Sequence, residues 1–311
     1  MSLARRILLR ASVSPWLARQ MSERRAVQRA VKRFMPGEEL SDAVDASRQL
    51  RSDGMSTILT LLGENVETPE DAMTVADAYA AAIEAIAGAG LPSDLSVKPT
   101  HLGLDLGLEI AEAGLRDVVT RAGAAGRLVA IDMESSGYVD DTLELYRRLR
   151  ADHENVGLCL QAYLYRTEQD LADLLPLQPM IRLVKGAYRE PEDVAWPRKA
   201  DVDAAYLERA GELLEAVARD SRVRAAFGTH DAAMIEGVKT LARDGGLERD
   251  AFEIQMLYGI RRDLQRQLAS EGHAVRVLVS YGTHWFPWYM RRLAERPANT
   301  WFVVKSLLSR T

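Results

Sequence analysis

The pattern of apolar and polar positions changes character near residue 55. From there, short and almost continuous apolar runs alternate with longer stretches in which apolar and charged residues recur at helical spacing. The runs are STILTLL (56–62), LSVKP (95–99), LVAIDM (128–133), VGLCLQAY (156–163), MIRLVKGAY (180–188), RAAFGTH (224–230), FEIQML (252–257) and VRVLVSY (275–281). Continuous rather than alternating runs suit strands buried on both faces, as in a parallel sheet covered by helices. The intervening stretches predict helices. One starts at Pro-Glu-Asp (69–71) and runs to about 88; others cover GLDLGLEIAEAGLRDVVTRA, DTLELYRRLRA, EQDLADLL, DVDAAYLERAGELLEAVARD, AAMIEGVKTLARD and RRDLQRQLASEG. A last helix follows VRVLVSY.

Eight strand–helix units over about 250 residues match the size of a (βα)8 barrel. An open doubly wound sheet calls for a glycine-rich turn such as GxGxxG after an early strand, and the sequence has none. The predicted fold is therefore α/β: a barrel over residues 51–311, an N-terminal helical arm over residues 1–50, and a final helix over the barrel mouth.

Composition narrows the function classes. The 311 residues are 47% hydrophobic and 27% charged, as in a globular protein, and the net charge of −5 gives no bulk electrostatic case for nucleic acid. No stretch approaches the roughly 20 apolar residues that span a bilayer. A single cysteine, Cys159, excludes an internal disulfide and a zinc-finger framework, and favours a reducing, cytoplasmic setting. Residues 1–22 carry Arg5, Arg6, Arg10 and Arg19 and no acid. That suits either an organellar transit peptide or a basic amphipathic helix leading into 23–34.

Active sites of such barrels lie at the C-terminal ends of the strands. Those ends are polar here: Glu64, Lys98, Asp132 with Glu134, Gln161, Lys185 with Tyr188, Thr229 with His230, and Gln255. Buried charge is costly unless paired, so Lys98 and Asp132 on neighbouring strands are expected to pair. Arg182 interrupts a third apolar run. The last helix carries Arg291 beside Arg292, and neighbours on a helix point about 100° apart. Two guanidiniums at the mouth suit a carboxylate ligand, which a planar guanidinium grips with two parallel hydrogen bonds. The five histidines are scattered, no metal-ligand spacing is present, and no nucleophile–base pair is visible. Chemistry carried by a bound organic cofactor is the reading that remains.

The motifs SVK (96–98), IDME (131–134), LQAY (160–163), RLVKGAY (182–188), GTHD (228–231), FEIQMLYG (252–259), YG (281–282) and MRRLAERPAN (290–299) occur together and in order. With them the chain resembles the proline dehydrogenases, from about residue 30 to the end, and in particular the bacterial monofunctional type. The resemblance implies a distorted (βα)8 barrel that oxidises L-proline to Δ1-pyrroline-5-carboxylate by hydride transfer to the N5 of FAD. It implies that Arg291 and Arg292 bind the substrate carboxylate, with Lys98 nearby and paired to Asp132, and that Glu295 braces the arginines. Tyr188 and Leu257 would line the ring pocket. FAD would be contacted by Met133, Gln161, Arg182, the backbone of Lys185, Gly186 and Ala187, Lys199, Thr229, His230 and Gln255. Asp132 and Arg182 are the implied catalytic residues, Arg182 lying near N5. Electrons would pass to a quinone or another acceptor, with peripheral contact at the inner membrane face.

One position departs from the family pattern. Leu278 stands where most members carry a tyrosine that packs on the substrate ring. That leaves two further readings: the same flavin scaffold acting on hydroxyproline, a substituted proline or a biosynthetic amine, and a barrel that binds a carboxylate metabolite without turnover.

Overall fold

The structure is a computed structural model that describes residues 31–295, with side chains described to residue 290. Eight parallel strands close into a barrel in sequence order. They are β1 (Ser56–Leu61), β2 (Ser93–Val97), β3 (Val129–Ile131), β4 (Val156–Gln161), β5 (Met180–Val184), β6 (Arg224–Gly228), β7 (Glu253–Leu257) and β8 (Ala274–Tyr281). Strand β8 closes on β1 with Ser56 opposite Arg276 and Leu61 opposite Tyr281.

Nine helices are described: α1 (Leu40–Ser52), α2 (Pro69–Gly88), α3 (Leu108–Ala124), α4 (Val139–Asp152), α5 (Thr167–Leu174), α6 (Lys199–Arg219), α7 (Ala232–Asp244), α8 (Arg262–Ser270) and α9 (Trp285–Glu295). Local chemistry sets several starts. Thr68 caps α2 by accepting from the Asp71 N–H at 3.1 Å, with Pro69 in the first turn, where a missing N–H costs nothing. Asp231 caps α7 through the Ala233 N–H at 3.1 Å.

Two differences from the sequence pattern have physical causes. The helix expected from GLDLG onward begins only at Leu108, because Gly103 and Gly107 take φ of 93° and 149°, which a helix cannot hold. Several strands also end sooner than their apolar runs. Lys98, Asp132, Lys185 and Thr229 lie just past the hydrogen-bonded strands. After Lys98 comes Pro99, which has no N–H for a ladder and instead opens a short 3-10 turn.

The alternation of inward and outward residues divides the core in two. Outward residues such as Leu59, Val97, Ile131, Leu183, Phe227, Ile254 and Val277 pack with the helices into one large apolar cluster. A separate, small cluster joins Ile58, Leu128, Ala130, Met180 and Ala226, with Leu278 against it. Beneath that apolar layer, Arg276 bonds Glu253 Oε1 at 2.8 Å and Asp94 Oδ2 at 2.9 Å. Above it, two residues further along β3 and β5, stand Asp132 and Arg182, with Ser96 of β2 bonded to both. The interior is thus a charged floor, an apolar middle and a polar mouth.

Residues 34–38 are fastened to the last helix and to the turn before it. Trp285 Nε1 donates to Glu38 Oε1 at 2.8 Å, the Gly282 N–H donates to Glu38 O at 2.9 Å, and the Phe34 and Tyr289 rings lie 6.0 Å apart. Gly259, just after β7, lets the backbone at Arg33 lie against it: a Cβ there would sit 1.6 Å from the Arg33 carbonyl oxygen.

Candidate active site at the barrel mouth

Strands β2, β3 and β5 bring four polar side chains together. Lys98 Nζ donates to Asp132 Oδ2 at 2.8 Å, as its sequence position predicts. Ser96 Oγ donates to Asp132 Oδ1 at 2.7 Å, and Arg182 donates both to that same oxygen and to Ser96 Oγ, the latter at 3.0 Å. Burial works against every charge here. Between two cations Asp132 nevertheless stays ionised, its pKa pulled down to about 2 by Lys98 and Arg182. Burial likewise disfavours the Lys98 ammonium, and the Asp132 carboxylate more than offsets that, holding its pKa above the usual lysine range. Charge pairing wins over desolvation.

Beside this group, Glu134 is buried and its carboxylate accepts from the Thr100 N–H at 3.0 Å and Thr100 Oγ1 at 2.8 Å. Burial raises its pKa in spite of those bonds. It fixes the turn that follows Lys98. The Glu134 carbonyl accepts from Gln161 Nε2 at 2.6 Å, and Met133 is buried between Asp132 and Glu134.

A second cluster holds the ends of β5 and β6. Lys185 Nζ donates to Asp231 Oδ2 at 2.9 Å and also to Asp203; Lys199 pairs with Asp203 and lies 3.4 Å from Asp231 Oδ2. The Asp231 N–H donates to Thr229 Oγ1 at 3.1 Å. Gly186 has φ 120°, and a Cβ there would come within 2.4 Å of the Tyr163 ring. The backbone of 185–187 is therefore held tight against β4 with no room for a side chain. Ala187 is exposed and Tyr188 half-buried beyond it. On β7, the Leu257 N–H donates to His230 Nε2 at 3.3 Å, and Leu257 is half-buried.

Among the buried side-chain atoms in this region without a protein hydrogen-bond partner are Arg182 Nη1, Gln161 Oε1 and Gln255 Oε1. Leaving such groups unpaired is costly, so they mark where a polar ligand belongs. One donor and two acceptors fit the edge of a flavin ring, which carries both an N–H and acceptor atoms. Cys159 is buried within β4, where burial pushes its thiol pKa up.

Helix α9 starts at Trp285, a few residues beyond the end of β8, on the mouth side of the barrel. Arg291, Arg292 and Glu295 lie on its backbone, and their side chains fall outside the described residues. Leu278 sits one inward layer below the mouth.

The sequence pattern passed over Ser96, Asp203, Asp231, Glu253 and Arg276. The last two were detectable, as charges at alternate positions of apolar strand runs. Asp203 and Asp231 carry no such mark, since they lie in polar stretches at helix starts and Lys185 reaches both from the end of β5.

Residues 43–305 match the family model described as Proline dehydrogenase. The chain is 41% identical over 282 residues to "Proline dehydrogenase" of Deinococcus radiodurans, with 89% of each chain covered. It is 39% identical over 279 residues to "Proline dehydrogenase 1" of Bacillus subtilis, covering 90% of this chain and 91% of the relative. Among solved structures, proline utilization A of Bdellovibrio bacteriovorus superposes with a TM-score of 0.83 at 24% identity, over 96% of this chain and 36% of that one. The Bradyrhizobium japonicum protein superposes at 0.75 and 27% identity, over 88% and 32%. This chain spans about a third of those longer chains.

Proposed function

Because this chain belongs to the proline dehydrogenase family, we propose that it oxidises L-proline to Δ1-pyrroline-5-carboxylate in proline catabolism, with FAD as cofactor. The observation that carries this reading is the Lys98–Asp132–Arg182 group at the barrel mouth, with an arginine-bearing helix following β8 on the same side, in a chain about two-fifths identical to relatives of that name. The alternatives of a different amine substrate and of a non-catalytic barrel are not favoured. Near-complete coverage by relatives named for proline supports proline itself.

The residue roles form part of the proposal. The arginine pair, Arg291 and Arg292, grips the substrate carboxylate, while Lys98 adds positive charge and Asp132 offsets part of it. Tyr188, Leu257 and Leu278 bound the ring, excluding water from the carbon next to nitrogen. Met133, Gln161, Arg182, Lys185, Gly186, Ala187, Lys199, Thr229, His230 and Gln255 hold FAD across the mouth. Arg182 Nη1, lacking a protein partner, is the donor aimed at the flavin. Bound FAD supplies the two-electron acceptor. In the substrate, one C–H bond at the ring carbon breaks, a C=N bond forms, and the amine proton leaves to water.

Residues 1–50 act as an arm and 51–311 as the catalytic barrel. Helix α1 crosses that division, ending at Ser52. No helix among the described residues is long and apolar enough to cross a membrane. Electrons then leave to a quinone or another acceptor through peripheral contact at the inner face of the membrane. Arg5, Arg6 and Arg10, outside the described residues, are the candidate lipid contacts, at about 1 kcal/mol per basic residue.

Steady-state turnover of L-proline with a soluble quinone, with the cyclic imine product trapped chemically, tests the reading. A rate on hydroxyproline exceeding that on proline would contradict it. Quinone reduction unaffected by anionic vesicles and by removal of residues 1–20 would remove the membrane contact from the account.

A further inference from the structure

Gln161 and Gln255 are 2% and 4% exposed, and each has one amide arm bonded and the other without a partner. The Nε2 of Gln161 meets the Glu134 carbonyl at 2.6 Å, and that of Gln255 meets Glu253 Oε2 at 2.9 Å. Both partners are acceptors only, provided Glu253 is ionised. Arg276 sees to that with a two-pronged pairing, Nε to Oε2 at 2.9 Å and Nη2 to Oε1 at 2.8 Å. Burial alone would raise the Glu253 pKa, yet it lies below the ordinary range because of Arg276. The partners, not the amide itself, therefore decide which atom faces which way. Glu253 lies two residues before Gln255 on the same inward face, toward the floor. The Gln255 oxygen is thus turned the other way, toward the mouth.

Resting on the FAD reading above, we propose that Glu253 is a positioning residue: it locks the Gln255 amide so that Oε1 presents a fixed acceptor to an N–H on the flavin edge. The charged floor of the barrel then has a purpose beyond closing it. Arg276 holds Glu253, Glu253 holds Gln255, and Gln255 reads the cofactor. Gln161 makes the same presentation from β4, with a backbone carbonyl that no substitution can neutralise. A neutral side chain at 253 can donate as well as accept, so the Gln255 amide would be free to turn its NH2 toward the flavin N–H.

The test uses holoenzyme carrying Glu253→Gln. On dilution, FAD fluorescence should appear with an equilibrium loss of affinity of about tenfold or more, the cost of one misdirected buried hydrogen bond. The KM for L-proline should stay within about twofold of wild type, since Glu253 lies remote from the substrate groups. In a Gln255→Ala background the same change should add nothing, because the two residues act in series. If Glu253→Gln fails to fold, Glu253→Asp keeps the charge for Arg276 while drawing the carboxylate back from Gln255, and should weaken FAD in the same direction. Variants that lose thermal stability yet hold FAD like wild type would overturn the proposal, as would equal FAD loss with and without Gln255. A wild-type protein with no flavin would overturn the functional reading as well; a flavin-holding wild type with unaffected variants would overturn this inference alone.

Discussion

The Lys98 ammonium sits 2.8 Å from Asp132, whose other oxygen faces Arg182, so one carboxylate holds a half-buried lysine and a buried arginine in place. Removing the shared anion leaves like charges facing each other away from water. Asp132→Asn is expected to destabilise the fold by about 3–5 kcal/mol, the usual cost of breaking a buried pair from one side. Lys98→Met, which leaves the Arg182–Asp132 pair intact, should cost clearly less. Thermal unfolding of both variants checks the order, and a larger loss for Lys98→Met would contradict it.

The same carboxylate gives an acid limit. Its pKa is depressed from 3.8 to about 2, so its contribution is fully present above about pH 3.8 and is lost as pH falls toward 2. His101 acts earlier. Burial, then Lys98 and His284, lower its pKa from 6.5 to about 4, so it is neutral in the fold and its Nδ1 has no partner. Stability linked to it is complete above about pH 6.5 and drains as pH falls to 4, by up to about 3 kcal/mol. Unfolding free energy of His101→Gln should therefore vary less between pH 6.5 and 4 than that of wild type. Parallel curves for the two proteins would refute the assignment.

Arg291→Met and Arg292→Met should impair substrate saturation far more than FAD retention. A charge-assisted pair in a closed site is worth on the order of 2–5 kcal/mol, so KM should rise at least about thirtyfold. Equal losses of flavin and of proline binding would point to a structural role for the pair.

Leu278 stands where the family pattern has tyrosine, and it packs against Ile58, Ala130, Met180 and Ala226 below the mouth. For a proline substrate, Leu278→Tyr restores a hydroxyl beside the ring and should raise kcat/KM for L-proline by about tenfold. A fall in that constant, with no gain on proline, would show that the leucine is fitted to something else.

The barrel was legible because its strands are buried on both faces, which writes a continuous apolar run at each one. Where strands stop was not legible. In LVAIDM and MIRLVKGAY apolar residues resume after Asp132 and Lys185, so the pattern does not mark Ile131 and Val184 as the last laddered residues. The Lys98–Asp132 pair could be inferred because a lone charge in such a run demands a partner. Glu253 and Arg276 obeyed the same rule, but their partnership depends on the register in which β7 pairs with β8, which sets Gln255 opposite Arg276. GLDLG looked helical because it runs without a break into the helical spacing of LEIAEAGLRDVV, while its glycines set the backbone otherwise.

FAD should be held without a covalent bond, since the single cysteine, Cys159, is buried inside β4. Acid or heat denaturation should leave the flavin in the supernatant. Flavin sedimenting with the protein would contradict this.

The most direct measurement is anaerobic mixing of the purified protein with L-proline while the flavin absorbance is followed. The protein is expected to be yellow as isolated, and excess L-proline should bleach the oxidised flavin band with saturating dependence on proline concentration, releasing the cyclic imine in an amount matching the flavin reduced. A flavin that dithionite reduces and L-proline does not would contradict the account.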